Sequence, residues 1–330
     1  GAVSVDLPVV WAGIVAGAVV MYVLLDGFDL GVGILFPFTP HAGERDVMMA
    51  SIAPVWDGNE TWLVLGGAGL MAAFPAAYAL LLPALFAPLM VMLLALVFRG
   101  VAFEFRAHAR RKGPWDAAFA GGSWLAAACQ GVVVGAVVQG MPAQPQPWHW
   151  LTPFCALTAV SVPAGYALLG ATWLHLKCEG ELQARCRRAA WACLALVLTA
   201  LAAVSAWTPL AQPAIAERWF SLPNFYYLSQ VPLITAALAV GCAWSLWRGR
   251  ERRAFACALG LCVLAYAGLV ISVWPYIVPR VLTFAEAAAS PATQRFTLVG
   301  FALTLPFVLA YTVLGYRSFA GKVRAGAGYH

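Results

Sequence analysis

Two carboxylate pairs, Asp26/Asp29 and Asp57/Glu60, stand in apolar surroundings in a chain with only 14 acidic residues. Their contexts are Leu24-Leu25-Asp26-Gly27-Phe28-Asp29-Leu30-Gly31 and Pro54-Val55-Trp56-Asp57-Gly58-Asn59-Glu60-Thr61-Trp62. Within each pair the i,i+3 spacing puts both acids on one face of a helix. A charge in hydrocarbon is costly, so such groups pair, take up a proton or line a wet path. Carboxyls set in this way could move protons, with Asn59 as a neutral donor and acceptor beside them. The alternative at each position is a charge that merely marks the membrane edge, and Asp29 is the most open to that reading.

The surrounding chain must be a membrane protein. It is 62% hydrophobic and 10% charged, with a mean hydropathy of +0.80, and apolar stretches of about 20 residues recur along its length, enough to cross a bilayer core. We expect an all-α protein, one integral-membrane domain over residues 1–330, with nine transmembrane helices at about 8–36, 52–73, 76–98, 117–139, 150–174, 189–208, 225–247, 254–275 and 296–316. The first stretch lacks a preceding basic region and is expected to be a span, not a cleaved signal. With these spans, 17 of the 20 Lys and Arg fall in connections on one side and 3 on the other. That asymmetry places the N-terminus outside and the C-terminus in the cytoplasm. The net charge of +6 is then a topology signal that requires no nucleic-acid partner. Basic clusters such as Arg185/Arg187/Arg188 and Arg248/Arg250/Arg252/Arg253 would face anionic lipid headgroups or solvent.

Helical rise sets the depth of the acids. Asp57 lies roughly 9 Å and Glu60 about 14 Å inward from Ser51, and Asp26 lies about 27 Å from Pro8 on an antiparallel neighbour. Both pairs fall in the cytoplasmic half. Gly27, Gly31, Gly33 and Gly58 thin the backbone there and allow close helix approach. Trp62, about 16 Å deep, is either a packing residue or part of a gas or solute route. Gln130 and Gln139, near Gly131 and Gly135, read as a packing face joined by amides. Glu104 is expected to form an interfacial ion pair among Arg99 and Arg106, beyond the third span. His41, His108, His149, His175 and His330 all fall in connections, at span ends or in the tail, so no span offers a buried axial ligand for haem. The eight cysteines show no metal-ligand spacing and read as small apolar residues. No metal site is expected.

At these motifs the sequence resembles subunit II of the cytochrome bd-type quinol oxidases. The resemblance is carried by Asp26-Gly27-Phe28-Asp29-Leu30-Gly31, by Ser51-Ile52-Ala53-Pro54-Val55-Trp56-Asp57-Gly58-Asn59-Glu60-Thr61-Trp62, and by Phe98-Arg99-Gly100-Val101-Ala102-Phe103-Glu104-Phe105-Arg106. Gly122-Ser123, Gln139-Gly140 and the Trp274-Pro275-Tyr276 turn are looser matches. Position 60 is Glu where many members have Gln, and the connection between spans 6 and 7 is short, as in the cyanide-insensitive branch. The resemblance implies a bacterial inner-membrane, multi-pass, haem-free subunit. Its partner, subunit I, would have a similar nine-helix fold related by a pseudo-two-fold axis and would carry haems b and d and the quinol site. A structural quinone occurs in some members, and the resemblance leaves room for a bound phospholipid and a small single-helix subunit.

The resemblance further implies a complex that couples quinol oxidation to reduction of O₂ to water, electrogenic without proton pumping, with no catalytic residue in this chain. Asp57, Asp26 and Asp29 match the family's acidic motif positions, with Glu60 and Asn59 beside them on a cytoplasmic proton path, and Trp62 matches a position near the oxygen route. Two other readings remain open on the residues alone. A proton-coupled secondary transporter would also place carboxylates on Gly-interrupted helices, but would repeat them in both halves. A purely structural assembly subunit would use the acids only to hold helices together.

Overall fold

A computed structural model describes residues 4–142, 144 and 146–326 of the chain. His330 lies outside them. The elements in chain order are α1 (Leu7–Leu35) with a 3-10 turn (Phe36–Phe38), α2 (Ala42–Ile52), α3 (Trp56–Ala73), α4 (Pro75–Ala84), α5 (Phe86–Arg106), α6 (Gly113–Gln139) and α7 (Pro153–Lys177). Then follow α8 (Gly180–Ala211), α9 (Pro213–Phe220), α10 (Asn224–Leu228), α11 (Gln230–Trp247), α12 (Glu251–Val273), a hairpin of β1 (Tyr276–Val278) and β2 (Leu282–Thr283), α13 (Phe284–Ala287) and α14 (Pro291–Ser318). Eight helices among the described residues are long and apolar enough to cross a membrane, which makes this an all-α, multi-pass membrane protein. The 18-residue α3 is not among the eight. Its first turns carry Asp57, Asn59 and Glu60.

Several expected boundaries move, each for a local reason. The stretch 76–98 divides at Leu85 into α4 and α5, where Pro83 and Pro88 remove helical donors on either side. Helix α5 then runs on through Arg99 to Arg106, so Arg99 is a buried residue within a helix and not part of a connection. Helix α8 begins at Gly180, well before 189, because Arg185 is held both by Glu181 one turn back and by Glu44. Residues 42–51, expected in a connection, form α2 together with Ile52, fastened by Asp46 to Arg106 and Lys112.

Helix α1 is the centre of the bundle and packs on α3, α6 and α7, while α5 packs on α6 and α7 on α8. Glycines set the closest approach. A Cβ on Gly31 would lie 1.8 Å from the Tyr166 carbonyl oxygen, and one on Gly170 would lie 2.4 Å from the Gly31 carbonyl carbon. Backbone therefore meets backbone between α1 and α7. Gly131 and Gly135 bring α6 onto Thr158 and Cys155 of α7 in the same way, which is the expected small-residue packing face. The largest core joins Phe28, Ile34, Phe119, Leu168 and Trp173, with Phe28 stacked on Trp173 at 4.3 Å. By contrast α14 has no buried residue in its most apolar window. All eight cysteines are free, and burial pushes the Cys178 thiol, in the α7–α8 connection, up to about 12.

Candidate functional site

The close α1–α7 contact leaves the other face of α1 to meet α3 and α5, and there the acids gather around one cation. Arg99 Nη2 donates to Asp26 Oδ1 at 2.9 Å and to Glu60 Oε2 at 3.3 Å. Arg99 and Asp26 are fully buried, whereas the Glu60 side chain is 27% exposed. One guanidinium thus ties α1, α3 and α5 together. Arg99 also lies beside the Trp56 ring, which stacks on Phe103 with the planes within 2°. A Cβ on Gly100 would meet Trp56 at 3.4 Å, an ordinary contact, so the indole also packs closely over α5.

Asp29, one turn along α1 from Asp26, is held by Asn59 of α3. The Asn59 amide donates to Asp29 Oδ2 at 2.7 Å and to the Leu25 carbonyl at 3.4 Å, and its oxygen accepts the Tyr316 hydroxyl at 2.7 Å. Asp29 is fully buried. Asp57 stands on the same face of α3 one turn before Glu60, but is exposed on this chain, and a Cβ on its neighbour Gly58 would press on Tyr311 at 2.8 Å. The four acids therefore form a series graded by burial, from Asp57 at the surface through Glu60 to Asp26 and Asp29 inside.

Beyond Asp26, one turn toward the N-terminus of α1, Tyr22 accepts a hydrogen bond from Gln130 at 3.0 Å, and Tyr166 donates to the same amide's oxygen. These two tyrosines carry no sequence signal of their own. Gln130, read as helix-joining amide, gave the only hint. Asp26 Oδ2, Asp29 Oδ1 and Arg99 Nε and Nη1 have no hydrogen-bond partner among the described residues. Buried polar atoms of this kind are ordinarily satisfied by ordered water. Trp62 is buried against Ala18 and Tyr22, and its indole nitrogen likewise has no partner among the described residues.

Two expectations need correction. Arg99 does not pair with Glu104, which is exposed; Arg106 instead binds Asp46 at 2.8 Å and Asp116. The apolar run on both sides of Arg99 continues the helix and carries it inward, where the acids attract it. His175 is also buried, in the last turn of α7, and only 3% exposed, because α7 extends past 174. Its surroundings include Arg187, Arg188 and Glu251, a charged setting unlike the apolar pocket that a haem macrocycle occupies. The residues present do not fit haem there.

Comparison with known proteins agrees with this architecture. The chain is 27% identical to cytochrome bd-I ubiquinol oxidase subunit 2 of Escherichia coli (strain K12), over 95% of this chain and 94% of that protein. It is 28% identical to cytochrome bd ubiquinol oxidase subunit 2 of Bacillus subtilis (strain 168), over 95% of this chain and 96% of that one. Its fold matches a chain of the bd oxidase from Geobacillus thermodenitrificans with a TM-score of 0.80 and 17% identity, covering 96% and 99% of the two chains. The family described as cytochrome bd terminal oxidase subunit II matches residues 7–319. The chain belongs to that family, and is therefore a subunit of a membrane terminal oxidase that works with a partner subunit.

Proposed function

We propose that this chain is the haem-free subunit II of a quinol oxidase in a bacterial inner membrane, and that its buried carboxylates carry protons toward the site of O₂ reduction in subunit I. The observation that carries this reading is the series Asp57, Glu60, Asp26 and Asp29, graded by burial, in which Arg99 holds Glu60 and Asp26 and Asn59 holds Asp29. The charge count supports it. One guanidinium offsets one carboxylate, so Asp26, Asp29 and Glu60 together leave two carboxyls that can hold or release protons in a low-dielectric setting. Arg99 stays charged throughout and serves to hold the carboxylates in place. Asp57, on the surface of this chain, is the proposed entry.

From Asp26 the hydrogen-bonded trio Tyr22, Gln130 and Tyr166 offers a continuation along α1 toward mid-membrane. Nine spans belong to the same proposal, with α3 as the span that hydropathy undercounts because it bears the acids. The N-terminus is placed in the periplasm and the C-terminus in the cytoplasm, the acids lie in the cytoplasmic half, and the bundle mirrors that of subunit I. Haems b and d belong to the partner. A small single-helix subunit, a structural quinone and an oxygen route past Trp62 are compatible with the fold and rest on the family resemblance.

One observation favours a second role. A fully buried Arg99 bridging three helices is a structural tie, and its removal would leave carboxylates unpaired inside the bundle. The two roles separate in Asp57→Asn, which alters an exposed residue and leaves the Arg99 pairs untouched. We expect quinol oxidation by the intact oxidase to slow at normal haem content. Full turnover would reject Asp57 as the proton entry.

A further inference from the structure

The chain does not leave the bundle where α14 ends at Ser318. Residues 319–323 turn back across the end of α7, with Gly321 at a left-handed φ of 104° that suits glycine. Lys177, the last residue of α7, is buried and gives its ammonium to this turn. It donates to the carbonyls of Phe319 at 2.9 Å and Gly321 at 3.2 Å. In return the Val323 N–H donates to the Lys177 carbonyl at 2.8 Å. Lys322 donates to the Cys178 carbonyl at 3.1 Å and to Glu251, at the start of α12, at 2.7 Å. The segment is thus fastened to α7, to the α7–α8 connection and to α12.

From Lys177 a line of contacts leads to the acids. Its ammonium lies 4.9 Å from the centre of the Trp173 ring, a cation–π contact. Trp173 stacks on Phe28, which stands between Asp26 and Asp29 in α1, and meets Tyr316 edge-on at 6.4 Å. Tyr316, in the last turn of α14, donates to Asn59, and Asn59 donates to Asp29. Little else fixes α14, since Gln294, near its other end, is its one buried residue among those described. We propose that residues 319–323 are a clamp, closed by Lys177 and Lys322, that keeps Tyr316 on Asn59. Opened, it would leave the end of α14 free to drift and the Asn59 oxygen without its hydroxyl partner. The two lysines are then positioning residues for Asp29, and their effect on turnover rests on the proton role proposed for that acid.

The test is steady-state quinol oxidation by the intact purified oxidase, with kcat expressed per haem. Lys177→Met keeps an apolar stem over Trp173 and removes the donors. It and Lys322→Gln should each lower kcat by about threefold, the scale of one weakened hydrogen bond, with KM for quinol unchanged. Lys177→Arg, which keeps a cation and its donors, should restore most of the rate. Arg324→Gln, an exposed change in the same segment, should have no effect. Tyr316→Phe should give the same loss, and adding Lys177→Met to it should change nothing further. Wild-type kcat in Lys177→Met and Lys322→Gln, with Asp29→Asn slowed, would overturn the clamp, as would additive losses. If Lys177→Met fails to assemble, Lys322→Gln decides alone. If Asp29→Asn runs at the wild-type rate, the proton reading falls by itself and hydrogen exchange judges the clamp. Faster exchange in the last turn of α14 of Lys322→Gln would then uphold it, and unchanged exchange would overturn it.

Discussion

Asp29 and Asp57 exchange rank between sequence and structure. Spacing alone makes Asp57 the acid hardest to dismiss and Asp29 the easiest, because Asp29 stands close to the end of its apolar run. The fold reverses the burial of the two, since α1 ends against α2 and α3 and its last turns are enclosed. That enclosure is a tertiary effect with no local signature. The acids themselves were legible because carboxylates in apolar sequence are rare. Their cation was not, because Arg99 sits where a span could equally have ended. Asp26→Asn removes the closest partner of Arg99. Breaking one side of a buried ion pair costs about 3–5 kcal/mol, so we expect little assembled oxidase, seen as a fall in haem-bearing complex per cell. Normal yields would show that Glu60 alone can hold Arg99.

At the scale of the element, glycine spacing was readable as a promise of close contact, but the partner helix was not. Gly31 meets Gly170 on α7, and the two backbones touch only because neither has a Cβ. Gly31→Val would drive α1 from α7 and disturb the Tyr166–Gln130 pair. Overpacking of this kind costs about 1–3 kcal/mol or more, and should appear as a lower melting temperature of the purified complex. Unchanged melting would mean that the helices can separate freely. The short helix α2 escaped notice because it is brief and mixed in polarity. Its Asp46 is pushed up by burial, but hydrogen bonds from Lys112 and Arg106 outweigh that and hold its carboxyl below the ordinary 3.8. A lowered carboxyl contributes stability above that ordinary value and loses it as the pH falls through the lowered one. Melting temperature should therefore drop on acidification below about pH 4, and drop less in Asp46→Asn. An identical acid profile in the two proteins would remove α2 from the account.

For the whole molecule, hydropathy carries most of the helix layout. The acid-bearing α3, the proline-broken stretch around Leu85, the short helix α2, the extended α5 and the early start of α8 depart from it. The orientation is testable directly. A reporter fused after the last helix should be active only if it folds in the cytoplasm, and a periplasmic signal there would reverse the placement of every acid described above. The central claim is that the buried carboxylates carry protons and do more than brace the bundle. Asp29→Asn tests it most directly, because an amide keeps the shape and the hydrogen bond to Asn59 but cannot take up a proton. Oxygen consumption driven by quinol should be measured on the purified complex, normalised to its haem content. We expect turnover to fall by about tenfold or more, in line with the loss of a positioned proton carrier, while haem content stays at the wild-type level. Wild-type turnover at full haem content would contradict the account.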